Sequence, residues 1–137
     1  MRRKYTKELL ESMSIFSRMT GAAVRDCFES EGVMHFVVEQ GEIGKAIGKG
    51  GSVIKEMQQK LQTRIKVIEY SPSKLDFVKN VIYPLRVDDV TDEEGVIFLH
   101  SNDRNTKGLL IGRNAKNLNM LKDVVRRYFE FEDIKIK

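Results

Sequence analysis

The feature that most constrains this chain is a short glycine-rich stretch that occurs twice. Ala46-Ile47-Gly48-Lys49-Gly50-Gly51 is echoed 64 residues later by Leu110-Ile111-Gly112-Arg113-Asn114-Ala115. Each copy is entered by an apolar pair and left by a run with helical spacing. Glycine lacks a Cβ, so it tolerates positive φ and lets another backbone or a ligand approach closely. A helix that starts just after such a loop points its free N–H groups and the positive end of its dipole toward it. That arrangement favours an anion, and Lys49 or Arg113 adds a full charge beside it.

The elements around the two copies repeat in order. Tyr5, Leu9, Met13 and Phe16 share one helical face, which predicts a helix over 5–19 ending near Gly21. A strand-like segment over 22–31 turns at Glu31-Gly32 into the apolar strand 33–39. One or two helical turns over 42–47 precede the glycines, and Val53, Ile54, Met57 and Leu61 carry a helix from Ser52 to about Gln62. Over 64–68 the chain alternates, placing Ile65 and Val67 inward and Arg64, Lys66 and Ile68 on the other face. Ser71-Pro72 reads as a capping side chain followed by Pro at the first helical position. Leu75, Val78 and Ile82 then form a buried stripe that Pro84 stops. Strands over 86–92 and 96–99 flank a Glu94-Gly95 turn, a short helix covers 102–111, and Leu118, Leu121, Val125 and Tyr128 mark another helix. An alternating strand with Ile134 and Ile136 on one face ends the chain.

Both halves therefore read helix, strand, strand, short helix, glycine loop, helix, strand. Two units are expected, 1–70 and 71–137, of α+β class, each with a three-stranded sheet packed against helices. A unit of about 70 residues buries a thin core, so the two are expected to pack on each other.

The net charge of +4 is modest, but its placement is uneven. Residues 41–68 hold six Lys/Arg against two Asp/Glu, and 104–127 hold seven against one, whereas 86–94 hold one against five. Basic charge gathered at both loops suits a polyanion contacted twice. Cys27 is the single cysteine, so no internal disulfide can form. His35 and His100 lie far apart with no metal-ligand spacing around them and are expected at the surface or at strand ends. No apolar run approaches the length of a membrane span. The expectation is a soluble, cytoplasmic protein with no membrane partner, no cofactor and no metal.

Spacing separates the known glycine loops. A nucleotide P-loop needs a glycine where Ile43 stands and Ser or Thr where Gly50 stands. The dinucleotide fingerprint read from Gly48 needs a glycine where Val53 stands. A G-x-x-G loop with an apolar pair before it and apolar residues after it does match. It resembles the loop of the KH domain, which clamps the backbone of about four nucleotides.

The resemblance extends further. Gly44-Lys45-Ala46-Ile47-Gly48-Lys49-Gly50-Gly51 and Leu110-Ile111-Gly112-Arg113-Asn114-Ala115-Lys116-Asn117 are similar to the KH region of the NusA transcription termination/antitermination family, above all its short archaeal members. The resemblance covers essentially the whole chain. It implies two tandem type II KH domains and a single-stranded RNA-binding protein of transcription termination or antitermination. It also implies RNA polymerase or other transcription factors as further partners.

On this reading the backbone of Gly48, Gly50 and Gly51 lets phosphates approach, while Lys45, Lys49 and Lys55 supply charge. Ile47 stands on the groove floor, Ile54 there or in the core, and Arg64 and Lys66 reach the groove edge. In the second unit the corresponding set is Ile111, Gly112, Arg113, Asn114, Ala115, Lys116 and Asn117. Ala115 departs from the family's glycine and is expected to be the first helical residue, where Ala is favourable. Aromatic residues do not cluster at either loop, which disfavours a stacking platform. No nucleophile–base–orienter set appears, so no enzyme is expected. A ribosomal or other ribonucleoprotein KH component and a protein-binding scaffold are the alternative classes.

Overall fold

The structure is a computed structural model and describes residues 5–48 and 51–137. Its contacts divide the chain into two compact units, 1–70 and 71–137.

Unit 1 runs α1 (Lys7–Thr20), β1 (Val24–Ser30), β2 (Val33–Val38), α2 (Ile43–Ile47), α3 (Ser52–Leu61) and β3 (Arg64–Glu69). The Thr6 hydroxyl accepts from the Leu9 N–H and caps α1, and Gly21 in the left-handed region closes it by donating to the Ser17 carbonyl at 2.8 Å. The sheet order is β1-β2-β3, with β1–β2 antiparallel and β2–β3 parallel. Glu31 and Gly32 both have positive φ in a two-residue hairpin, as a type I′ turn requires. The core joins Phe16, Ala22, Cys27, Phe36, Val38, Ala46 and Met57, with Phe16 stacked on Phe36 at 4.2 Å.

Strand β2 is central and buried along nearly its whole length, which is why it reads as an unbroken apolar run. Its neighbour β3 departs from expectation. Ile65 and Val67 face the helical core as the alternation predicts, but Ile68 is fully buried and Lys66 is half-buried on the other face. Register explains it. Lys66 and Ile68 pair with His35 and Val37, which are also fully buried, so both faces of this sheet carry buried side chains. His35 is thus an interior residue stacked on Phe28, not a surface or strand-end one.

Unit 2 runs α4 (Lys74–Ile82), β4 (Asp89–Glu93), β5 (Val96–His100), α5 (Arg104–Ile111), a 3-10 turn (Arg113–Ala115), α6 (Lys116–Arg126) and β6 (Asp133–Ile136). Its sheet repeats the pattern of the first, with β4–β5 antiparallel and β5–β6 parallel. Its hairpin repeats the turn too, with Glu94 and Gly95 at positive φ. Ile97, Leu99 and Ile134 are fully buried or nearly so on one sheet face, and Leu121, Val124 and Val125 on α6 are buried with them.

The cap of α4 is Ser73, not Ser71. Ser73 accepts from the Asp76 N–H, while the Ser71 hydroxyl accepts from the Ser73 N–H one step earlier, so Pro72 lies outside the helix. Ser101 and Asp103 repeat this two-step entry before α5. Phe77 and Val81 join Val78 and Ile82 on the buried face of α4, and Phe77 meets Tyr128 edge-on at 5.3 Å. The strand expected from 86 starts at Asp89. His100 ends β5, its Nε2 2.9 Å from the Thr91 hydroxyl.

Candidate functional site

Each short helix stops against a glycine for a physical reason. Gly48 follows α2 with φ 67° and ψ −161°, donating its N–H to the Gly44 carbonyl at 3.1 Å. Gly112 follows α5 with φ 76° and ψ 172°, donating to the Gly108 carbonyl at 2.8 Å. Only glycine adopts this combination readily. At the far end of the loops, Gly51 caps α3 at φ 74°, ψ 14° and Ala115 caps α6 at φ 60°, ψ 21°. Lys49 and Gly50 lie outside the described residues.

Ala115 therefore corrects the expectation. It is a left-handed residue at the N-cap, not the first turn of the helix, and Asn114 before it is left-handed as well at φ 55°. An L-residue other than Asn or Asp meets a penalty of about 1–2 kcal/mol there. Gly112 and Ala115 match the backbone conformations of Gly48 and Gly51 in the first copy, and Ala115 bears the cost.

Neither α3 nor α6 has a side-chain cap; at α6 the Lys116 N–H donates to the Arg113 carbonyl instead, and the rest of each first turn points toward the loop. Ile47 and Ile111, the residues just before the two glycines, are each 38% exposed, although large aliphatic side chains usually turn inward. Each loop thus has an open apolar side chain at one end and a helix N-terminus without a side-chain cap at the other. Arg113, Asn114 and Lys116 are exposed around the second, and Lys55 is exposed one turn into α3.

Other expected site residues sit differently. Lys45 is exposed but forms an ion pair with Glu42 at 3.2 Å. The Glu42 carboxyl is held below its ordinary range by the Ala23 N–H first and by Lys45 second. Ile54 is partly buried against the core. Arg64 and Lys66 occupy the sheet face away from the helices, and burial lowers the pKa of the Lys66 amine.

Asn117 serves the loop itself. Its side-chain amide donates to the Leu109 carbonyl at 2.8 Å, and its atoms fill the space beside Gly112. A Cβ on Gly112 would lie 2.7 Å from Asn117 Cγ and 2.9 Å from its backbone nitrogen. In unit 1 the same position is Val53, whose Cγ2 lies 3.4 Å from where a Gly48 Cβ would be. One loop is braced by a polar latch and the other by an apolar contact. Sequence reasoning missed this role; it named Gly44 within the first motif but not Gly108, which occupies the matching place four residues before the second loop glycine.

Among the described residues, no group of three or more His, Cys, Asp or Glu is placed to hold a metal ion, and no helix is long and apolar enough to cross a membrane.

Comparison with known proteins bears on the same region. Residues 33–81, from β2 into α4, match the KH domain family. The chain is 34% identical to the "Probable transcription termination protein NusA" of Methanococcus vannielii, over 99% of this chain and 80% of that one. It is 27% identical to the protein of the same name from Methanocaldococcus jannaschii, over 97% of this chain and 74% of that one. It is also similar to the crystal structure of APE1850, with a TM-score of 0.77 and 30% identity over 97% of this chain and 100% of that one.

Proposed function

The chain belongs to the archaeal NusA-like family, and from that premise we propose that it is a single-stranded RNA-binding protein of transcription termination or antitermination. On this reading residues 1–70 and 71–137 are tandem type II KH domains, and each grips RNA backbone with its G-x-x-G-type loop. The observation that carries the reading is the matched pair of loops. Both have positive-φ residues at each end, an exposed isoleucine before them and a helix without a side-chain cap after them.

The chemistry follows from that layout. Phosphates approach the loop backbone and the positive ends of the α3 and α6 dipoles, with Lys49, Arg113 and Lys116 supplying charge. Ile47 and Ile111 offer apolar surface to unstacked bases, whose edges are open in single strands. Gly48, Gly50, Gly51, Gly112, Asn114 and Ala115 form the path the RNA backbone follows. Lys45 and Lys55 flank the first loop. Asn117 acts by bracing the second loop, and Lys66 falls outside the contact set. RNA polymerase or other transcription factors are the further partners, and the protein acts by binding, without catalysis.

The test is RNA affinity by fluorescence anisotropy at stated salt, since phosphate contacts make affinity salt-dependent. The double variant Lys49→Asp, Gly50→Asp is expected to keep its fold, by circular dichroism, and lose most of its affinity. A folded double variant with unchanged affinity would sink the reading.

A further inference from the structure

The face of the unit 2 sheet turned away from α6 belongs to neither loop. Strand β5 reads Val-Ile-Phe-Leu-His, an apolar run of the kind found in strands buried on both faces. Here one face alone is buried. Ile97 and Leu99 pack toward the helices, whereas Val96, Phe98 and His100 on the other face stay partly exposed. The matching places in unit 1, Val33, His35 and Val37, are buried. A sheet with one wet face ordinarily turns polar residues outward. Val and Phe at the outward positions of a central strand therefore mark a face built to be covered.

The flanking strands show what kind of surface covers it. On β4 the register sets Asp89 beside His100 and Glu93 beside Val96, and on β6 it sets Lys135 beside Phe98. Alternation turns these three charges outward, and all are exposed. Lys137 follows on β6, its amine 4.8 Å from the centre of the Phe98 ring. Asp133, also on β6, is already engaged with Lys122 at 2.9 Å. One edge of the face is thus acidic, its middle apolar and its other edge basic.

We propose that this face docks the same face of a second copy of the chain. The partner must present the inverse order, basic edge against acidic edge with an apolar middle. A two-fold axis parallel to β5 produces that order from the face itself, in the isologous manner of a symmetric dimer. It lays β4 of one copy over β6 of the other and brings the two Phe98 rings together. Stacked sheets lie about 10 Å apart with interdigitating side chains, so the carboxylates of Asp89 and Glu93 come within reach of the amines of Lys135 and Lys137. A polyanion suits the lysine edge but is repelled along the acidic one, and the balance favours the chain's own face over RNA. Three strands about 4.8 Å apart and five residues long make a face of only roughly 10 by 16 Å. That is well under the about 800 Å² per partner of a standard interface, so the dimer is weak, with a Kd on the order of 100 µM. It leaves the Gly112–Ala115 loop clear, because α6, which starts at that loop, packs on the opposite face of the sheet. The inference stands apart from the RNA-binding reading.

The experiment is sedimentation equilibrium of the full chain, without RNA, from well below to well above that Kd. Wild type is expected to rise from the mass of one chain toward that of two. The edge variants Asp89→Lys, Glu93→Lys and Lys135→Glu, Lys137→Glu each set like charges opposite one another. Each is expected to stay folded, by circular dichroism, and to weaken self-association roughly tenfold or more. Mixed in equal amounts, the two double variants again oppose unlike charges and recover the association, which a mere loss of folding would not do. A wild type that keeps the mass of one chain throughout, edge variants that associate as wild type does, or a mixture of folded variants that fails to recover each overturn the proposal. Loss of RNA affinity by the folded Lys135→Glu, Lys137→Glu chain at nanomolar protein, where copies stay apart, assigns the face to RNA and overturns it as well.

Discussion

Ala115 bears a backbone cost that Gly51, its counterpart, does not. Ala115→Gly is therefore expected to stabilise unit 2 by about 1 kcal/mol, the left-handed penalty less the extra chain entropy of glycine. A urea unfolding midpoint that falls on this substitution would contradict the geometry. Lys66 makes a second prediction at the same scale. Burial lowers its pKa from the ordinary 10.5, so the folded state resists the proton that the unfolded state accepts readily. The destabilisation is complete below the folded pKa and fades as pH rises through the window between the folded and ordinary values. Lys66→Met is expected to raise stability near neutral pH, with a gain that shrinks toward the ordinary lysine value. Parallel denaturation series at the two pH values would reveal a gain that does not shrink.

At the scale of elements, the two loops share the same backbone conformations at their ends with different braces. Adding a Cβ at Gly48 meets a movable Val53 methyl at 3.4 Å, whereas at Gly112 it meets the Asn117 backbone nitrogen at 2.9 Å. Both alanine variants incur the positive-φ penalty, but Gly112→Ala must also displace the start of α6. It is expected to cost at least about 1 kcal/mol more than Gly48→Ala. Equal losses in thermal unfolding would mean that the two braces are equivalent. The hairpins offer a gain by the same logic. Glu31 and Glu94 hold the first left-handed position of type I′ turns, where Asn is preferred. Glu31→Asn and Glu94→Asn are each expected to add about 0.5–1 kcal/mol by relieving part of the left-handed strain.

Across the whole molecule, the proposal of two gripping loops has a quantitative consequence. Linked sites raise affinity by roughly 100-fold or more over one site alone when both can engage a single strand. Disabling either loop with Asp pairs should lower affinity by about that factor on an RNA long enough for both, and far less on one spanning a single loop. The slope of log affinity against log salt should fall by about 0.7 for each phosphate that the protein no longer neutralises. Identical reductions on short and long RNA, measured by anisotropy, would show that the loops do not act together.

Much of this is legible in the residues because it is local. The 64-residue echo, the 3.6 and 2 periodicities and the Glu-Gly turns each depend on neighbours in sequence, and the helices and strands form close to where those signals lie. What sequence cannot decide depends on the path of the chain. The sign of φ at Ala115 is imposed by the geometry that joins α5 to α6, and Ala has no side-chain signal to announce it. Alternation along β3 puts Lys66 and Ile68 on the second face but cannot say whether that face is covered, and the same cover buries His35 on β2, which sequence alone places at the surface or a strand end. Asn117 reads as an RNA contact because an exposed amide beside a glycine loop invites that assignment. Only the folded chain brings the Leu109 carbonyl within 2.8 Å and makes it a latch. Local periodicity determined the elements; close approach between distant residues decided which side chains are free to meet a ligand.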